Sequence, residues 1–437
     1  MSVTPRMNWS VVEECLDEAE FLWLNRERAL DAHDQDMERV SAWAEERLLG
    51  SVDGLLLAGD ATIDLLAAAL EEGLPSRASV AAYALASLNS QAAADALARV
   101  LSTSSELDPV RRGLELAASD LFLQRLQNTI DNRSPRILAV LTDVRAFQGV
   151  DGSDKIHALW SLADEDVQTA TVRLARNSSK DMASYVAQLG LEMEQPEIRV
   201  EAMELGLMAG VDKAWNVALS IVDNHEPGFG RAAIAVAALG GPREHERLLS
   251  AISMEDLRRD ALFALGFAGT AFAAEVCSAT MKTDPLAKIS ADGFCTITGL
   301  DLAKERMARP EPSPPDNQPV PFEADDLDAD LVLKADEDLP IPDVAAVERW
   351  WTNNQSRFTI GQRFLYGQPW SLSLLHNELT KGPMRRRHGW AFEVAVRTQG
   401  AHKIQTRAFM TTQRAQIAKL GQQLPLIKPR TEQWSRR

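Results

Sequence analysis

Four adjacent side chains, Arg385, Arg386, Arg387 and His388, form the densest cluster of potential anion ligands in the sequence. A guanidinium binds phosphate or carboxylate through two parallel hydrogen bonds, so the cluster points to an acidic partner or an acidic surface of the same chain. Just upstream, Trp350, Trp351, Tyr366 and Trp370 lie among Arg349, Arg357 and Arg363. Aromatic residues and arginine together concentrate binding energy at protein interfaces. The candidate partner-binding residues are therefore Trp350, Trp351, Arg363, Tyr366, Trp370, Arg385, Arg386 and Arg387. Burial of the aromatics in a small core is the competing reading.

Other groups carry less. His225-Glu226 and His245-Glu246 could exchange protons, but both fall at hydrophilic positions between helices, with no pocket implied. Glu20, Arg26, Arg28 and His33 read as charges of a helical cap, solvated or paired. GFGRAA (228–233) looks like a phosphate loop but lacks the preceding strand and the third glycine, so it reads as a turn. Asp164-Glu165-Asp166 fits a solvated turn. Asp325, Asp326, Asp328 and Asp330 lack the turn glycine and distal glutamate of a calcium loop. No phosphate-binding glycine loop, paired-histidine zinc motif, Cys-x-x-Cys or nucleophile elbow occurs. The expectation is no catalytic residue, no metal and no cofactor. Cys15, Cys277 and Cys295 are dispersed and fit reduced thiols.

The elements that would position these groups are helices. Residues 196–302 read as successive helix pairs, and Ala235–Gly240 is nearly repeated by Ala261–Gly266. A separation of 26 residues suits two short helices with their turns. Such self-similarity marks an array in which each pair buries its apolar face on its neighbours. Gly240 and Gly266 are expected to cap their helices in the left-handed conformation. A cation recurs early in each first helix, at Arg199, Arg231, Arg259 and Lys288. The fold class expected is all-α: a HEAT-like α-solenoid with an N-terminal helical cap and a separate helical C-terminal domain. Its divisions are residues 1–75 (cap), 76–308 (repeats), 309–342 (acidic, Pro-rich linker) and 343–437 (basic helical domain).

Charge is unevenly spread over this plan. The chain has a net charge of −17, yet residues 343–437 hold 16 Lys and Arg against 5 Asp and Glu. The basic end is expected to dock on acidic surface of its own chain or on a separate anionic partner. An acidic repeat body repels a phosphate backbone, which disfavours nucleic acid. No apolar run approaches the roughly 20 residues that cross a bilayer, and MSVTPRMNWS lacks the pattern of a secretion signal. A cytoplasmic protein without a membrane partner is expected.

Three blocks, FLWLNRERALDAHD, ADGFCTITGLDL and LPIPDVAAVERWW leading into RFTIGQRFLYGQPW, resemble an uncharacterised family of proteobacterial HEAT-like repeat proteins. Its members are often encoded beside type VI secretion genes. The resemblance implies a non-enzymatic protein-binding scaffold or adaptor, a cytoplasmic accessory that loads or escorts secretion components or effectors. The alternatives are an immunity or regulatory protein that masks a cognate effector, and a nucleic-acid-binding repeat protein.

Overall fold

The computed structural model describes residues 7–72, 74–130, 134–310 and 336–428. Among these the chain is mostly helical, and its strands form two short antiparallel pairs. The run 311–335, with most of the expected linker and Asp325, Asp326, Asp328 and Asp330, lies outside the described residues, as do 1–6 and 429–437. The chain divides into two compact units. Among the described residues, the first comprises those up to Val217 together with Leu379 onward, and the second comprises Ala218–Glu378. The stretch expected as one C-terminal domain therefore contributes to both.

In the first unit, the helices Pro75–Leu88, Asp108–Ala117, Pro135–Phe147, Glu165–Ala175 and Pro196–Ala209 each pack on the next. Local chemistry fixes where they begin. Proline stands in the first turn of four of them, where a missing amide N–H costs no helical hydrogen bond. Asp164 caps the other by accepting from the Val167 amide. The intervening helices Gln91–Thr103, Asp120–Thr129 and Lys180–Gly190 are capped in the same way by Ser90, Ser119 and Ser179. Packing is close enough to involve backbone. A methyl group on Gly113 would collide with the Ser79 carbonyl and the Tyr83 amide, and Ser79 Oγ donates 2.9 Å across to the Pro109 carbonyl.

The N-terminal helix Trp9–Ala29 packs on Glu46–Leu57 and on Pro75–Leu88. The segment before Glu46–Leu57 is a short helical turn at Met37–Arg39 and a π-helical turn at Val40–Glu45. Residues 379–428 complete this unit. Arg387–Arg397 packs on Pro196–Ala209. Tyr83 lies between Trp23 and Phe409, with ring centroids 6.0 and 5.8 Å away.

In the second unit, Phe229–Leu239, Arg258–Ala268 and Ala287–Thr298 pack in succession, and Ala271–Thr280 lies against the last of these. The glycine expectation needs correcting here. Gly240 is extended (φ −81°), and Gly266 lies inside its helix. A Cβ built on Gly293 of the next helix would lie 3.1 Å from Cys277 Sγ, 3.3 Å from the Leu262 carbonyl and 3.8 Å from the Gly266 amide, so the helices approach closely there. The left-handed cap comes three residues later, at Gly269 (φ +67°).

The hairpin Phe364–Leu365 with Gln368–Pro369 then satisfies the ends of two helices. Phe364 N donates to the Gly269 carbonyl (2.7 Å), Tyr366 N to Thr296 (2.7 Å) and Gly367 N to Ile297 (2.9 Å). Ala308–Arg309 pairs with Ile341–Pro342, which pins together the two ends of the expected linker. Past its described edge, Asp336 pairs with Arg259, and the Glu337 carbonyl accepts from Lys288. These are two of the cations that recur early in the repeat helices.

Candidate functional site

The first unit contains a cavity of about 970 Å³. One wall is built from the helices Asp108–Ala117, Pro135–Phe147, Glu165–Ala175 and Pro196–Ala209, and the other from residues 388–419. Arg111, Arg112, Arg173 and Arg176 reach in from the helices, and Lys403, Arg407 and Lys419 from the opposite side. Four carboxylates, Glu27, Glu115, Asp143 and Glu204, share the lining, with Phe147, Phe392 and Met208 as apolar patches.

Two chains of alternating charge run through this region. In one, the fully buried Arg26 donates to Glu45 (Nε to Oε1, 3.0 Å) and to Glu27 (Nη1 to Oε1, 2.6 Å). Arg112 joins Glu27 to Glu115 at 3.0 Å each, and both Arg26 and Arg112 donate to the Arg407 carbonyl. In the other, Arg173 binds Asp143, Glu197 and Glu201 at 3.0–3.1 Å, and Arg176 bridges Glu201 and Glu204.

Burial and pairing compete along these chains. Burial raises the Glu45 carboxyl despite Arg26 and the Met410 amide. Burial likewise pushes up Glu27, but Arg112 and Arg26 outweigh it and hold Glu27 below the usual range. Burial lowers Arg26, with partial offset from Glu27 and Glu45. Asp143 is pushed up to about 6 by burial, which outweighs Arg173 and Arg111. Among the described residues, its Oδ1 and the Nε of Arg176 are buried and make no hydrogen bond.

The residues expected to bind a partner are placed differently. Arg385, Arg386 and Arg387 are buried in the first unit. The Arg385 amide donates to the Ala32 carbonyl, and Arg387 donates to the Leu379 carbonyl and to Gln413 Oε1 (2.9 Å). Burial lowers the Arg387 guanidinium to about 10. A cluster read as surface charge thus closes the first unit, because its neighbours in sequence alternate with Trp390 and Phe392, which require burial.

Trp350, Trp351, Arg363, Tyr366 and Trp370 belong to the second unit. Trp351 is buried, Trp350 half-buried, and both meet Phe294 edge-on at 5.5 and 6.0 Å. Arg363 donates to the Phe267 and Ala268 carbonyls (2.8 and 3.2 Å), where a cation complements a helix C-terminus, and lies over the Trp370 ring. Tyr366 carries the left-handed turn of the hairpin (φ +48°).

His245, expected at a hydrophilic position, is buried against the Ala237 carbonyl (3.0 Å). Burial, then Arg363, pushes its imidazole down to about 4. Cys277 is buried, Cys15 and Cys295 are half-buried, and all three are free thiols.

Sequence reasoning did not find the cavity. Its one local signal was Glu115 at helical spacing from Arg111 and Arg112. The remaining partners lie far apart in the chain. Among the described residues no group of His, Cys, Asp and Glu could hold a metal ion, and no helix is long and apolar enough to cross a membrane. No protein-family model and no curated protein matches the chain.

Proposed function

We propose that this protein is a non-enzymatic, protein-binding scaffold or adaptor built on a HEAT-like α-solenoid. One observation carries the reading: large aromatics stand exposed on the N-terminal helices. Trp43 is 72% exposed in the π-helical turn and Phe21 60% exposed on the helix that packs beside it, with Trp9 and Leu57 also open to solvent. Large exposed apolar side chains are frequent at interaction sites, and aromatic residues are the anchors of most of them. This support differs from that expected in the sequence, where Trp350 to Arg387 was the candidate surface.

The resemblance of the three sequence blocks leads us to place the scaffold in the cytoplasm as an accessory of type VI secretion that loads or escorts a component or effector. The test compares wild type with a Phe21→Ala/Trp43→Ala variant. Both sites are solvent-exposed, so the melting temperature should hold while cross-linking to a secretion component or effector is lost. Equal cross-linking by the variant would move the surface elsewhere. An unchanged set of cross-linked proteins in cells that lack the secretion genes would remove the secretion assignment.

A further inference from the structure

We propose that the cavity of the first unit is a binding site for a small organic anion, a molecule with a phosphate or clustered carboxylates on an apolar body. Trp9, Phe21, Trp43 and Leu57 do not line it. Seven Arg and Lys side chains line it against four carboxylates, and Asp31, Asp108, Glu197 and Glu201 behind the lining also pair with its arginines. The arginines are largely engaged by carboxylates. That leaves Lys403 and Lys419, neither of which makes an ion pair among the described residues. Lys403 Nζ donates only to the Arg176 carbonyl. Burial first, then Arg176, holds its ammonium below the ordinary range, with partial offset from Asp151 and a further lowering by Lys419. An anion between these groups would relieve all three.

Two further atoms await a partner. Arg176 Nε and Asp143 Oδ1 are buried on residues that line the cavity and make no hydrogen bond among the described residues. An orphaned buried polar atom is costly unless something else satisfies it. A ligand oxygen would satisfy the first, and a ligand hydroxyl or amine the second. Phe147 and Phe392 supply the apolar surface for the rest of the molecule. The volume of about 970 Å³ lies at the upper end of small-ligand pockets, near 300–1,000 Å³, and accommodates a molecule of nucleotide size. A polynucleotide would bring a row of phosphates to an acidic chain, and a single cavity does not compensate for that.

The test is isothermal titration calorimetry of the full chain with ATP, citrate and hexaglutamate. ATP or citrate should bind saturably at one site, and whichever binds tighter tells the phosphate source from the carboxylate source. Lys403→Gln and Lys419→Gln should each weaken that binding by about tenfold, equivalent to about 1.4 kcal/mol. Lys213→Gln, a change at an exposed lysine paired with Glu192 outside the cavity, should leave it unchanged. Lys419 is exposed, so its variant keeps the wild-type melting temperature and carries the test even if the Lys403 variant is destabilised. Absence of binding by both ATP and citrate overturns the proposal. So does wild-type affinity in the Lys419 variant, or tighter binding of hexaglutamate than of either small anion.

Discussion

Arg26 is wholly enclosed, and the groups around it show what a buried guanidinium requires: two carboxylates and a carbonyl, one for each face of its fork. Removing one partner of such a set leaves the others uncompensated, which is more damaging than never having had the pair. Arg26→Ala should therefore lower the unfolding free energy by about 3–5 kcal/mol, read from urea titration. A loss under about 1 kcal/mol would mean that water replaces the guanidinium. Asp143 permits a finer measurement. Its carboxyl, near 6 in the folded chain against an ordinary 3.8, takes up a proton more readily when folded than when unfolded. The stability it contributes is complete below about pH 4 and is lost as pH rises through about 6. Asp143→Asn should flatten that part of the stability profile and leave little change at lower pH. His245, near 4 against 6.5, has the opposite sign: its contribution is complete above about 6.5 and fades as pH falls toward 4. An Asp143→Asn profile parallel to wild type between pH 4 and 6 would show that Asp143 does not titrate there.

At the level of elements, Leu265 lies fully buried in the helix Arg258–Ala268, which packs on a helix to either side. Leu265→Asp should cost several kcal/mol by burying an unpaired charge. An unaltered thermal transition of the second unit would contradict that placement. Helix positions were legible in the sequence because they rest on local chemistry. Pro75, Pro109, Pro135 and Pro196 mark helix starts, and alanine-rich stretches mark the buried faces. The glycines were legible as important but not in role, since a cap and a close approach both call for a missing side chain. The hairpin at Phe364–Pro369 leaves little trace in the sequence, because its partners are the helix ends at Gly269 and Thr296 rather than a longer strand. The cavity was illegible for a different reason. Arg112 and Arg173 look like surface charges in any window of sequence, and only the fold brings Glu27 or Glu201 beside them.

At the scale of the whole chain, the first unit is discontinuous: it begins at the N-terminus, breaks off at Val217 and resumes at Leu379. A chain ending at Lys381 lacks the Arg407 carbonyl, the Met410 amide that Glu45 accepts from (2.7 Å) and the Phe409 ring against Tyr83. Hydrogen exchange should then show Trp9–Ala29 and Pro75–Leu88 losing protection while Phe229–Leu239 and Arg258–Ala268 retain it. Full protection throughout would make the first unit self-sufficient without its C-terminal part. The same discontinuity has a consequence during synthesis. A ribosome adding roughly 5–20 residues per second needs about 15–60 s to travel from Tyr83 to Phe409. For that interval the nascent chain carries Arg26, Glu45 and Tyr83 without the residues that cover them, so the part of the protein made first is among the last to be finished, and it depends on its surroundings to stay unaggregated until then.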